Sequence, residues 1–228
     1  MKFATWEPVY AAILEDFGYD RAADERSRDR LAELAEPFDE GRLTSLFEGR
    51  HVAVAGGAPS LADELSLVDA ADVVVAASTA ADVLLAAGSA VDCLVTDLDK
   101  NPETGVELSR SGVPVAVHAH GDNLPAVERW VPRHHLANVL PTTQAAPVGP
   151  VRNVGGFTDG DRAAFLADGF GAASLTFPGW DFEDPTVDSV KARKLAWAER
   201  LLAWLERRRG ERFAVLDGRR ERIEPVDG

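Results

Sequence analysis

The sequence predicts an α/β fold built on a doubly wound, Rossmann-like, mostly parallel sheet, and three observations carry that reading. Short unbroken apolar runs recur at residues 51–55, 73–77, 93–95, 115–118, 136–140 and 173–177; runs of this length without polar alternation are strands buried on both faces. Segments of helical period follow most of them, so the chain repeats a strand-then-helix unit. Two of the strands run into acids, at Thr96-Asp97-Leu98-Asp99 and at His118-Ala119-His120-Gly121-Asp122-Asn123, at the edge where open α/β sheets place their ligands.

Before the first strand, Trp6, Val9, Tyr10, Ile13, Leu14 and Phe17 recur at spacings of three and four, with Gly18 as C-cap. A second helix covers about residues 20–36 and stops before Pro37. The expected organisation is a helical N-terminal subdomain or dimer surface over residues 1–48, an α/β catalytic domain over 49–217 and a charged, frayed tail over 218–228. The first strand runs into Gly56-Gly57-Ala58-Pro59-Ser60-Leu61. Its glycines permit close backbone approach and Pro59 suits a first helical position, so it reads either as a phosphate loop or as an ordinary tight turn. Ser78 or Thr79 caps a helix that Gly88 ends; Pro102 opens the next and Gly112 closes it. A helix after the fourth strand runs to about Val131, and residues 141–150 read as a long loop over the strand ends. Thr158 or Asp159 caps a helix that runs to about Phe170. Residues 186–208 form a long helix that buries Val190, Leu195, Ala198, Leu201, Leu202 and Leu205 and leaves Lys191 and Lys194 together near its start; residues 213–216 add a last strand.

Composition narrows the function. At 228 residues with 46% hydrophobic and 27% charged residues, the chain can bury a sizeable core. It has no run of about 18 apolar residues that could span a bilayer and no apolar signal core near its first residues, so no membrane partner and a cytoplasmic location are expected. The single cysteine, Cys93, rules out an internal disulfide and a cysteine-cluster metal site. A net charge of −14 argues against nucleic acid, whose phosphates require a basic stripe. Lysine is rare, at Lys2, Lys100, Lys191 and Lys194, while acids are spread along the chain. Such surfaces resemble those of salt-accumulating halophiles, where molar salt shrinks the Debye length to about 3 Å and removes self-repulsion.

Asp97, Asp99 and Asp122 are hard oxygen ligands at neighbouring strand ends and suit magnesium, which takes one or two protein carboxylates and completes its shell with water and substrate phosphates. A phosphate substrate follows, with lysines at a helix start holding the far phosphate. The competing reading leaves Asp97 and Asp99 as caps or solvated acids. A nucleotide-sugar glycosyltransferase or a non-catalytic nucleotide-binding module would also use an Asp-x-Asp pair.

Five motifs in order resemble the archaeal 6-hydroxymethyl-7,8-dihydropterin pyrophosphokinases, a family related in its core to thiamine pyrophosphokinases. They are Gly56 to Leu61, Thr96-Asp97-Leu98-Asp99, His118 to Asn123, Gly155-Gly156-Phe157-Thr158-Asp159-Gly160-Asp161-Arg162, and Lys191 to Leu195. The resemblance implies magnesium-dependent transfer of the β,γ-pyrophosphoryl unit of ATP to a pterin hydroxymethyl group, with release of AMP, toward a folate-type or methanopterin-type carrier. On it, Asp97, Asp99 and Asp122 are the metal ligands and, with Lys194, the catalytic set. Gly56, Gly57, Ser60, Asn123, Lys191 and Lys194 are expected at the nucleotide, and Ser78, Thr79, His120, Asp159 and Asp161 at the substrate. Lys100 stands where the family motif usually has glycine.

Overall fold

The computed structural model describes residues 1–226. Among them six strands form one sheet: β1 (His51–Ala55), β2 (Val73–Ala77), β3 (Cys93–Thr96), β4 (Val115–Ala119), β5 (Val139–Thr143) and β6 (Ser174–Thr176). The order across the sheet is β5-β4-β3-β2-β1-β6, and every pair is parallel. Successive residues along each strand point to opposite faces, which divides the core into two layers. Val52, Val54, Val73, Val75, Cys93 and Val95 join one layer; Ala55, Val74, Ala76, Leu94, Val115 and Val117 join the other.

Each layer has its own helices. The crossovers from β1 to β5 use α4 (Leu65–Asp69), α5 (Ala80–Ala86), α6 (Pro102–Arg110) and α7 (Leu124–Trp130), whose Val68, Leu84, Leu108 and Val127 lie in the second layer. The chain then returns through α8 (Asp159–Gly169) and, after β6, ends on α9 (Ser189–Arg209), both in the first layer through Phe165, Leu201 and Trp204. This return inserts β6 beside β1, where the direction of winding reverses.

The N-terminal helices share this core. α1 (Phe3–Phe17) and α3 (Gly41–Phe47) place Trp6, Tyr10, Leu43 and Phe47 in the first layer, while α2 (Arg21–Leu34) places Leu31 in the second. Trp6 and Tyr10 are fully buried, and each such side chain contributes roughly 2–3 kcal/mol of transfer free energy. The Trp6 indole N–H donates to the Gln144 carbonyl (2.9 Å) just beyond β5. Gly18 closes α1 in the left-handed conformation, φ 67°.

Four expectations are corrected. The fifth strand begins at Val139, and residues 136–138 are a single 3₁₀ turn; Pro141, which cannot donate to a ladder, obscured a strand that runs to Thr143. The long helix starts at Ser189 rather than near Thr186, because the Asp188 carboxylate accepts the Lys191 N–H (2.7 Å) and caps it there, and Val190, in this first turn, is exposed rather than buried. Residues 213–216 form no strand: Ala214–Leu216 is a 3₁₀ turn that buries Phe213 and Leu216. Nor does the described part of the tail fray. Glu206 of α9 accepts from Arg220 through both Nε (2.8 Å) and an Nη (2.7 Å), and from the Phe213 N–H (2.6 Å).

Burial raises the proton affinity of Glu206, but the Arg220 guanidinium and the Phe213 N–H outweigh it and hold the carboxyl below its ordinary range. A depressed acid contributes stability above its unfolded pKa, near 4.5, which is lost as pH falls through the folded value. Glu206→Gln should therefore lower the melting temperature at pH 7, and the gap from wild type should close progressively below about pH 4.5. A pH series of thermal melts on the two proteins checks this; a gap constant with pH would remove the ion pair from the account.

Candidate active site

A cavity of about 580 Å³ opens over the C-terminal ends of the strands. Its walls include Gly56 and Gly57 after β1, Ser78 and Thr79 after β2, Asp97 and Asp99 after β3, and His120 and Asp122 after β4. Asp159 and Arg162 of α8 and Lys191 and Lys194 of α9 complete them.

The acid turn has unusual backbone. Leu98, between the two acids, has φ 68°, and Ser78 at the next exit has φ 50°; among the described residues these are the two non-glycine positions with positive φ. Left-handed conformations of such residues cost about 1–2 kcal/mol and persist where surroundings enforce them. Here the Thr96 hydroxyl accepts the Leu98 N–H (3.0 Å), the Asp97 carboxylate accepts the Asp99 N–H (3.2 Å), and Leu98 is buried to 2% exposure. The turn thus presents Asp97 and Asp99 on the cavity side while Leu98 anchors it from below. Burial and the adjacent Asp97 push Asp99 up to about 6. Burial opposes ionisation of Asp97 too, but His120, whose Nε2 lies 3.6 Å from the carboxylate, holds it below the ordinary range.

Two polar side chains fix the β4 exit. The Asn123 amide donates to the carbonyls of Asp97 (2.8 Å) and His118 (2.7 Å) and accepts the His120 N–H (3.0 Å). From α2, the buried Asp24 carboxylate accepts the Gly121 N–H (2.6 Å), the Tyr10 hydroxyl (2.6 Å) and the Gln144 amide (2.8 Å). Burial first, then Asp24, raises the Tyr10 pKa. Tethered to α2, the turn sets Asp122 toward Tyr19, whose pKa is raised by burial and by the Asp122 charge.

On the opposite wall, α8 opens with a capping box in which the Asp161 carboxylate accepts from Phe157 N–H, Thr158 N–H and the Thr158 hydroxyl. Gly156, φ 89°, allows this start: a Cβ there would run into the Arg162 backbone. Arg162, almost fully buried, donates to Asp159 (2.9 Å) and to the Phe157 carbonyl (2.8 Å), and its Nε has no partner. Burial and the charge of Asp97 raise the proton affinity of Asp159 well above that of an ordinary carboxyl, against Arg162. Below the β4 exit, the Thr142 hydroxyl donates to the Val117 carbonyl (3.0 Å) and so receives Nδ1–H of His118 (3.1 Å). Burial, then the Arg162 charge, holds His118 well below the usual imidazole range, so it stays neutral.

Several expected contacts move. The loop after β1 is followed only by a five-residue 3₁₀ helix, Pro59–Asp63. The Gly56 and Ala58 N–H groups are taken by the carbonyls of Pro178 and Gly179 (both 2.9 Å), and a Cβ on Gly56 would meet the Gly179 carbonyl and Trp180. This loop therefore seals β1 to β6, and Ser60 stands outside the cavity wall. Asp161 is fully buried in the capping box and Asn123 is 6% exposed with its amide bound to backbone, so neither faces the cavity. Asp122 borders the cavity without closing a triplet with Asp97 and Asp99: among the described residues no three His, Cys, Asp or Glu side chains are gathered to hold a metal. Asp24 and Gln144 line the cavity unpredicted as ligands; an aspartate on the inner side of a helix is the signal available for the first.

Residues 28–186 match the family model described as 6-hydroxymethylpterin diphosphokinase MptE-like. The chain belongs to this family. Three archaeal relatives carry the name 6-hydroxymethyl-7,8-dihydropterin pyrophosphokinase. The Methanothermobacter thermautotrophicus protein is 40% identical over 225 residues, spanning 91% of this chain and 96% of the relative. The Pyrococcus furiosus protein is 38% identical, over 90% of this chain and 95% of its own length. The Methanocaldococcus jannaschii protein is 32% identical, over 90% and 96%. In this MptE-like chain the matched segment spans every strand and the acid turn, and begins within α2.

The Asp24 carboxylate receives three donors, so Asp24→Asn, which turns an acceptor into a donor facing them, should cost about 2 kcal/mol or more. Urea unfolding measures the loss, and hydrogen exchange at Gly121 should quicken in the variant. Unchanged stability would show that α2 does not hold the turn.

Proposed function

We propose that the chain is a pyrophosphokinase that transfers the β,γ-pyrophosphoryl group of ATP to the hydroxymethyl oxygen of 6-hydroxymethyl-7,8-dihydropterin, releasing AMP. The observation that carries this reading is one cavity, large enough for two ligands, bounded by the Asp97/Asp99 turn and by Lys191 and Lys194; the names of the relatives supply the pterin. The residues fit a magnesium ion, because two hard carboxylates stand side by side on the acid turn at the cavity wall, and burial and the charge of Asp97 raise the proton affinity of Asp99. Asp97 and Asp99 would hold it, and when bound it supplies charge neutralisation at the bridging phosphate oxygens.

The protein's own groups do the rest. In the reaction the hydroxymethyl oxygen forms a bond to the β-phosphorus as the bond from that phosphorus to the α,β-bridging oxygen breaks, and AMP leaves with the electron pair. Asp122, carboxylate outward at the β4 exit, receives the hydroxyl proton. Asp122 N–H donates to His120 Nδ1 (3.4 Å), and His120 Nε2 lies 3.6 Å from the Asp97 carboxylate; His120 orients a carboxylate and is not the base. Arg162 balances the floor acids. Lys191 and Lys194 take the terminal phosphate as compact charges: among the described residues no ion pair uses a lysine, so both remain available. Lys194 Nζ rests 5.8 Å from the Phe157 ring centroid, which steers it along the cavity wall.

The acid excess favours assay at molar salt. Purified protein with ATP, magnesium and the hydroxymethyl-dihydropterin should yield AMP; ADP, or no turnover, would overturn the reading. Asp97→Asn and Asp99→Asn should each lower kcat at least about a hundredfold, roughly 2.7 kcal/mol of transition-state stabilisation, with folding intact. Lys191→Met and Lys194→Met should raise the KM for ATP or lower kcat with little change in Tm. Wild-type ATP kinetics in both would move the phosphate contact to Lys100 or Arg162.

A further inference from the structure

We propose that Asn123 is a positioning residue that holds the β3 and β4 exits together so that Asp97 and His120 meet, a role that rests on the proposed magnesium-dependent transfer. Asn123 occupies the N-cap of α7, where an asparagine side chain ordinarily accepts an N–H of the first helical turn. It does not do so here: α7 has no side-chain cap. The amide turns back to the sheet, and every hydrogen-bonding direction it uses is backbone of a strand exit. Its Nδ2 donates to the carbonyls of Asp97 (2.8 Å) and His118 (2.7 Å), and its Oδ1 accepts the His120 N–H (3.0 Å).

The place of this clip matters. Register between β3 and β4 ends at Thr96 opposite Val117, and β4 keeps its ladder with β5 only to Ala119 opposite Thr143, so no strand pairing holds Asp97 against His120. Asp97 and His120 are the next residues to carry chemistry, and Asn123 holds the carbonyl of one and the N–H of the other. Their side chains then lie 3.6 Å apart, carboxylate to imidazole. A helix cap is forgone, and the amide is nearly buried, at 6% exposure. Both features fit a residue kept for the geometry of the acid turn rather than for contact with a ligand.

Serine and threonine cap helices about as asparagine does, but one hydroxyl proton cannot serve two carbonyls. Asn123→Ser and Asn123→Thr therefore preserve the start of α7 and remove the clip. Asn138→Ser serves as control: Asn138 is also buried and donates to the Ser109 carbonyl (2.6 Å), but it precedes β5 and lies outside the cavity wall. For each protein, magnesium affinity is measured by calorimetry without nucleotide, alongside kcat, KM for ATP and Tm. The clip predicts that both Asn123 variants lose at least about tenfold in magnesium affinity and kcat, with KM changed much less, while Asn138→Ser loses Tm and keeps kcat and metal affinity. Wild-type affinity and kcat in the Asn123 variants overturn the proposal, as does an equal loss in Asn138→Ser, or a wild type that binds no magnesium. Should Asn123→Ser fail to fold, Asn123→Thr, which fills more of the buried volume, carries the same comparison. A wild type that binds magnesium through the clip yet releases no AMP would sink the proposed function and leave the positioning role standing.

Discussion

Parallel strands satisfy one another's backbone only while the ladder lasts, and between β3 and β4 it stops at Thr96 and Val117. Past Thr96 on β3, and past Ala119 on β4, where pairing with β5 also stops, each N–H and carbonyl needs another partner or must face water. The partners are short polar side chains: Thr96 for Leu98, Asp97 for Asp99, Asn123 for three groups at once, and Asp24 for Gly121. Satisfying these groups and shaping the cavity are the same event. Leu98 tolerates a left-handed backbone because its side chain is locked beneath the turn.

Charge is divided by residue type. Arginines serve structure: Arg209 bridges Asp168 and Glu211, Arg219 bridges Glu183 and Glu199, and Arg220 bridges Glu206 and Asp217. The planar fork suits such paired roles. The lysines of α9 stand apart from this network, beside a cavity whose acids lack a matching number of cations.

Much of this was readable from the chain. Five of the six strands coincide within a residue or two with the unbroken apolar runs, because burial leaves few polar residues to blur their limits. Asp97 and Asp99 were visible because acids directly after such a run have no core role. Less visible were features that depend on distant chain. The start of β5 was misplaced because Leu136 continues the apolar pattern while Pro141 interrupts the real strand. Asn123 and Asp161 resemble ligands by type, and only their partners show them to be braces. The N-terminal helices carried no chemical signal, since Asp24 matters through Gly121 and Gln144, far along the sequence. The order of the tail likewise depends on Glu206, which no local pattern connects to Arg220.

The seam between β1 and β6 has a consequence for how the molecule comes into being. β1 pairs with β2 by a short crossover, but its other edge waits for the strand that arrives last. The Trp180 indole N–H closes that edge on the Val54 carbonyl (2.8 Å) across a separation of 126 residues. Closing so long a loop is an entropic cost met before the contact gives anything back, so high contact order slows the final step. During synthesis, one flank of the sheet stays open, with its backbone unpaired, until β6 and its exit loop have emerged. The glycines at positions 56 and 179 let two backbones touch where that late edge closes.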